Sequence, residues 1–248
     1  MATLSFDHPL LGPVTIVERR GSQKLSARWT NGQLRVNVPA GLTRSQISAA
    51  IDRHISDFEA IRPAPRYHDG LVIDIPGANA TETDPTFAIA IMTDPRIDSK
   101  PLVTTSTEGN HLRFNLLVSP KTDFRDPAVQ ERLDHTVKLA GRNLAPRIII
   151  PRARLIASRL GLRVDKWETA HGTSVLGTCY PRQRRIRLSY LNVFLTPELR
   201  DYIIYHELAH LTEPGHTPAF HALCDRYCGG RERELIRKLH SYPWPVNR

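Results

Sequence analysis

The chain of 248 residues is poor in cysteine and methionine, and no run of apolar residues approaches the ~18 that a membrane-spanning helix requires. Its three cysteines, Cys179, Cys224 and Cys228, form an odd and sparse set without zinc-ribbon spacing. That predicts a reducing, cytoplasmic location and excludes a disulfide scaffold. Cys224 and Cys228, one helical turn apart, read as core residues. His8, Pro9 and Pro13 interrupt the apolar residues near the start, so no secretory h-region is expected. Internal repeats and low-complexity tracts are missing. So are a phosphate-cradling glycine loop, a carboxylate cluster for a second metal and any zinc-finger or RNA-recognition signature.

What is present is ordinary globular composition, 40% hydrophobic and 24% charged, enough to bury a sizeable core in one large domain or two small ones. The formal net charge is +9, and much of it falls late, at Arg182, Arg184, Arg185 and Arg187 and again at Arg231, Arg233, Arg237 and Lys238. Two readings stand: a solvated basic surface, which is favoured, and a nucleic-acid face.

Residues 206–216 carry the chemistry. His206 and His210 bracket Glu207, and His216 follows. On an α-helix, residues four apart lie about 40° apart around the axis. Two imidazoles on one face can therefore hold one Zn²⁺, with the carboxylate in reach of a water on the metal. The context agrees. Thr196-Pro197-Glu198 reads as a helix start, and Leu199, Tyr202, Ile203, His206 and His210 then repeat at three and four over about 197–211. Pro214-Gly215 is expected to end the helix and turn His216 back toward the metal. The competing reading is a buried helix whose histidines pair by accident.

The first third reads as β-rich. Leu25, Ala27 and Trp29 alternate, Asn31-Gly32 follows, and Leu34, Val36 and Val38 alternate again, a hairpin signal. Thr43 or Ser45 can cap a helix with Ile47, Ile51, Ile55 and Phe58 on one face, broken at Arg62-Pro63. Further strands are expected at 70–75, 86–92 and 112–118, with a variable loop over 93–111. From Asp126 helices dominate. Val129, Leu133, Val137, Ala140 and Leu144 share a face, and Pro146 and Pro151 leave 126–160 as one bent helix or two. Strands are expected at 163–167 and 185–189. A helix capped by Thr217 should stop at Gly229-Gly230, and a short basic helix should follow over about 231–240. The resulting class is α+β, divided as a β-rich part over 1–125 with one helix and a helical part over 126–248, or one continuous domain.

Three segments give the chain a resemblance to the YgjP-like metallopeptidases, relatives of the WLM and SprT-like zincins. Residues 197–224, from Pro197 through the histidine motif to Cys224, look like the family's active-site stretch. Residues 176–195, with Gly177-Thr178-Cys179 and Ile186-Arg187-Leu188, resemble its preceding strand segment, and residues 19–60 its N-terminal hairpin and helix. The resemblance implies one catalytic zinc on His206, His210 and His216, Glu207 as general base, a protein or peptide substrate, and a basic β-rich part packed on a compact zincin core with a short sheet. Where the family usually reads Arg-Trp-Gly-Ser-Cys, this chain has Val175-Leu176-Gly177-Thr178-Cys179, a departure that puts substrate choice in question. Metzincins share the histidine spacing but place glycine where Glu213 stands and need a downstream methionine turn. The only methionines here are Met1 and Met92.

The reaction so implied is amide hydrolysis. Zinc lowers the pKa of a water to about 7, Glu207 takes its proton, and the metal stabilises the oxyanion. Gly177, Thr178, Cys179, Tyr190 and His221 are assigned to the substrate cleft. A second oxyanion donor is sought among Tyr190, Tyr205, His171 and His221, each also readable as structural. By analogy with other zincins, an extended substrate would pair with an edge strand near 185–189. Two alternatives stay open: a metal-dependent hydrolase of nucleotides or phosphoesters, and a nucleic-acid-associated, protease-like module with salt-sensitive activity.

Overall fold

The computed structural model describes residues 3–21, 23–30, 32–78 and 84–248. It is an α+β protein, and its chain forms two compact units, one of residues 1–66 with 123–131 and the other of 67–122 with 132–248. The division therefore falls elsewhere than at 125/126: the strands of residues 72–118 group with the helical part.

The first unit holds β1 (Thr3–His8), β2 (Gly12–Arg19), β3 (Ser26–Thr30), β4 (Gln33–Pro39), α1 (Arg44–Arg53) and α2 (Ile55–Ala60). Its sheet runs β1-β2-β4-β3, with β2 and β4 parallel and the other pairs antiparallel. The expected hairpin is β3–β4, with Trp29 opposite Leu34 and Ala27 opposite Val36. Gly32 takes φ 74°, the left-handed region a tight turn needs; Asn31 lies outside the described residues. Thr43, not Ser45, caps α1 through a reciprocal capping box with Gln46. The expected single helix is broken at His54, and both halves bury one apolar face: Ile47, Ile51 and Phe58 close over Val14, Ile16, Leu34 and Val36.

The second unit begins with a sheet of β5 (Val72–Ile75), β6 (Thr86–Thr93), β7 (Leu102–Glu108) and β8 (His111–Val118), ordered β5-β6-β8-β7. β7 corrects the expected loop over 93–111. It is an edge strand of Leu-Val-Thr-Thr-Ser-Thr-Glu whose residues are nearly all exposed, so no hydrophobic alternation betrays it. α3 (Pro127–Arg159) is one continuous helix through Pro146 and Pro151. An internal proline costs ~3 kcal/mol, but Leu144, Ala145, Ile148, Ile149, Ala153 and Ile156 around the two are all buried, and burial of that many apolar side chains offsets the loss.

A second, three-stranded sheet follows: β9 (Lys166–Ala170), β10 (Gly177–Tyr180) and β11 (Arg185–Ser189), in the order β10-β11-β9. This overturns the edge assignment of 185–189. β11 is central, antiparallel to β10 and parallel to β9. Its buried Ile186 and Leu188 alternate with exposed Arg187, a pattern that any half-buried strand shows. The edges are β10 and β9. Three helices complete the unit: α4 (Pro197–Ala209), α5 (Pro218–Tyr227) and α6 (Glu232–His240). Among the described residues no helix is long and apolar enough to cross a membrane.

α4 is held rigidly. Arg200, 1% exposed, donates to the carbonyls of Gly77 (2.8 Å), Pro76 (3.0 Å) and Asn192 (3.2 Å). A buried guanidinium is tolerable only when so satisfied. Asp201 accepts from Arg152 of α3 (Nε to Oδ1, 2.7 Å), and Glu198 accepts from Arg231 (3.0 Å) and from Lys238 of α6 (2.8 Å).

Candidate metal centre

The first turn of α4 starts at Pro197 as the sequence predicts, although the Thr196 side chain makes no capping bond. The helix stops at Ala209, earlier than the Pro214-Gly215 turn, because the chain tightens there: Leu211 N–H bonds the Leu208 carbonyl (3.1 Å) and Thr212 N–H that of Ala209 (3.1 Å). His210 is thus the residue capping the helix. The segment between α4 and α5 then carries His216 back over the same face, just before Thr217, which caps α5 by accepting from Phe220 N–H (3.3 Å).

The three histidines meet. Their rings lie 4.7–5.0 Å apart, centroid to centroid, and one ligand atom from each lies within 4.8 Å of the others. His206 Nε2 and His216 Nε2 are 3.1 Å apart. Two nitrogens on a tetrahedral Zn²⁺ at about 2.05 Å each would be about 3.3 Å apart, so this pair already has the spacing of zinc ligands. His210 Nδ1 donates to the Glu213 carbonyl (3.1 Å), which leaves Nε2 as its coordinating atom. Burial, with the neighbouring His210, His216 and His221, pushes the His206 imidazole down to about 4, and burial lowers His210 as well. Both rings are neutral at pH 7, the protonation state a metal requires.

Phe220, fully buried, forms the floor of the cluster. It stacks on His210 (4.4 Å, 25°) and meets His206 and His216 edge-on at 4.9 and 4.8 Å. Sequence reasoning passed over it; its place in the first turn after the Thr217 cap, four residues from His216, was the available signal.

Glu207 lies on the flank of the same side of α4, against β10. It is 5% exposed, and burial pushes its carboxyl up to about 8, with the Cys179 backbone amide pulling it back down. Gly177 makes this fit possible. A Cβ there would stand 2.5 Å from Glu207 Oε1 and 2.6 Å from Cδ, closer than any real contact. Gly177→Ala is therefore expected to displace the Glu207 carboxylate and lower hydrolysis about 100-fold, with zinc content unchanged. Wild-type turnover in that variant would show that the contact is dispensable.

The other assigned residues divide. Cys179 of β10 meets the same carboxylate through its backbone amide, whereas the Thr178 hydroxyl donates to the Gly177 carbonyl (2.8 Å). The Cys179 thiol is pushed up to about 12 by burial and by Glu207, so it stays protonated. His221 lies beside the cluster, 6.3 Å from His216 between ring centroids. Tyr190 is a correction: it has no exposed surface and packs under the Arg142 guanidinium (5.1 Å), so no substrate can touch it. Tyr205 packs on Tyr227 (6.5 Å), and His171 is exposed in the segment before β10.

A family model described as the YgjP-like metallopeptidase domain matches residues 104–242, more than half of the chain and all of the site above. Among solved structures, the crystal structure of the metallopeptidase zymogen of Pyrococcus abyssi abylysin is similar over 36% of this chain and 89% of that one, at 19% identity and a TM-score of 0.33. A likeness that slight carries no argument. No curated protein matches the chain.

Proposed function

We propose, from the premise that this chain belongs to the YgjP-like metallopeptidase family, that it is a zinc-dependent peptidase with His206, His210 and His216 as metal ligands and Glu207 as general base. The observation that carries the reading is the pairing of two environments side by side: three convergent imidazoles and, on the flank of the same helix, a buried carboxylate. Zinc held by these three imidazoles would act as a Lewis acid and bring the pKa of a water to about 7.

The chain's own groups supply the rest. A carboxyl whose affinity for a proton lies near neutral pH can take one up at Oε and return it to a leaving nitrogen. Gly177 keeps that carboxylate against β10, and Phe220 excludes water from beneath the ligands. The edge strand β10 offers an extended peptide a row of backbone groups. Ser189 N–H bonds the Leu176 carbonyl (2.8 Å), which sets the alternation: Thr178 and Tyr180 face β11, and the backbone groups of Gly177 and Cys179 face away from it, the Cys179 N–H being taken by Glu207.

The test is metal quantitation on the full chain beside hydrolysis of casein, fluorogenic peptides and nucleoside triphosphates. Near-stoichiometric zinc is expected, with peptide cleavage that is lost on chelation and restored by zinc. Triphosphate hydrolysis without peptide cleavage would overturn the peptidase reading.

A further inference from the structure

His221 takes no part in the ligand set, yet it is built into the site. It stands on α5 with its ring 5.3 Å from Phe220 and 6.3 Å from His216, and 49% of its side chain is accessible. Its Nδ1 lies 2.9 Å from Oε1 of Glu232, the first residue of α6. Glu232 is itself 5% exposed, and its backbone N–H donates to Asp225 Oδ1 at 3.0 Å, so the carboxylate has a fixed place.

The tautomer follows. A carboxylate oxygen accepts, so Nδ1 carries the hydrogen, and in the neutral ring Nε2 is left with its lone pair. Nδ1 is turned inward to a buried group; the accessible remainder of the ring carries Nε2, beside the metal ligands. A peptide entering the site brings one N–H per residue, and each must find an acceptor when it leaves water. The backbone of α5 cannot serve at this turn, because carbonyls inside a helix are spent on its own ladder. A side-chain acceptor can.

We propose that His221 binds the substrate: its Nε2 accepts a hydrogen bond from a backbone N–H of the bound peptide, and Glu232 is the positioning residue that fixes its tautomer and ring plane. This rests on the peptidase reading above. The competing role is a tie between α5 and α6 with no contact to substrate, and two substitutions separate the roles. Asparagine places an amide nitrogen near Nδ1, keeping the bond to Glu232 while removing any atom at Nε2. Glutamine reaches the Nε2 position with its carbonyl oxygen and gives up the tie.

On the zinc-loaded full chain, with casein and a peptide that the wild type cleaves, His221→Asn should raise KM about tenfold, leaving kcat, zinc content and thermal stability near wild type. His221→Gln should recover most of the KM despite losing some stability. ¹⁵N NMR of the full chain should find His221 protonated at Nδ1, and Glu232→Gln should shift it toward the Nε2–H tautomer with a raised KM. A wild-type KM in His221→Asn, or an Nε2–H tautomer in the wild type, overturns the inference and leaves the peptidase reading intact. A zinc-loaded wild type that cleaves no peptide overturns both.

Discussion

Glu207→Gln is expected to lower peptide hydrolysis by about 10²–10⁴-fold, the usual contribution of a positioned general base, with zinc content unchanged. The substitution is nearly isosteric, so the pocket between α4 and β10 is preserved: the amide still fits against Gly177, and the Cys179 backbone amide still has an oxygen to meet. The burial that pushes the carboxyl up to about 8 also means that a neutral amide sits there without strain. Only the ability to take a proton is removed. Glu207 lies outside the three-histidine group, so metal binding has no reason to change. Initial rates on casein beside zinc quantitation decide the matter. Retained turnover would remove Glu207 from the mechanism, and lost zinc would make it a ligand.

His216→Ala is expected to reduce zinc affinity by more than the 10–100-fold that loss of an outer partner of a metal ligand produces, and to abolish hydrolysis with it. The fold should survive. His216 is exposed in the segment between α4 and α5, and its neighbour Thr217 supplies the cap of α5 independently. What goes is one corner of the triangle, the nitrogen 3.1 Å from His206 Nε2. The remaining pair on α4 offers two nitrogens, one fewer than the three protein ligands a catalytic zinc site usually has. Competition with a chromophoric chelator measures the change, and circular dichroism checks the fold. Zinc binding equal to the wild type would sink the assignment of His216 as third ligand.

Much of the site was legible because its signals are local. His206, Glu207 and His210 lie within a turn and a half of one helix, so 3.6-residue periodicity alone places them. The helix starts at Pro197 and Pro218 and the hairpin over Ser26–Pro39 depend on residues two to four positions apart, and the chain forms them as read, with Thr43 the cap of the two residues considered for α1. Where the signal was weak the reading failed. β7 buries almost nothing and so shows no pattern. Pro146 and Pro151 leave one bent helix or two open, and burial around them keeps it one. Strand order is likewise absent from alternation. Arg185–Ser189 has the sequence of any half-buried strand, and only pairing on both sides shows that it is central and that β10 and β9 are the edges.

By itself, then, the sequence located the candidate metal group: residue types and spacing on a helix–turn segment bring three histidines within reach of one ion, with Glu207 beside them. Tertiary structure decided what surrounds them. Gly177 meets Glu207 thirty positions along the chain, Phe220 closes the floor beneath rings from two elements, and Glu232 of α6 meets the ring of His221 on α5. None of these contacts leaves a periodicity, because each joins separate elements whose approach is set by the packing of the whole unit.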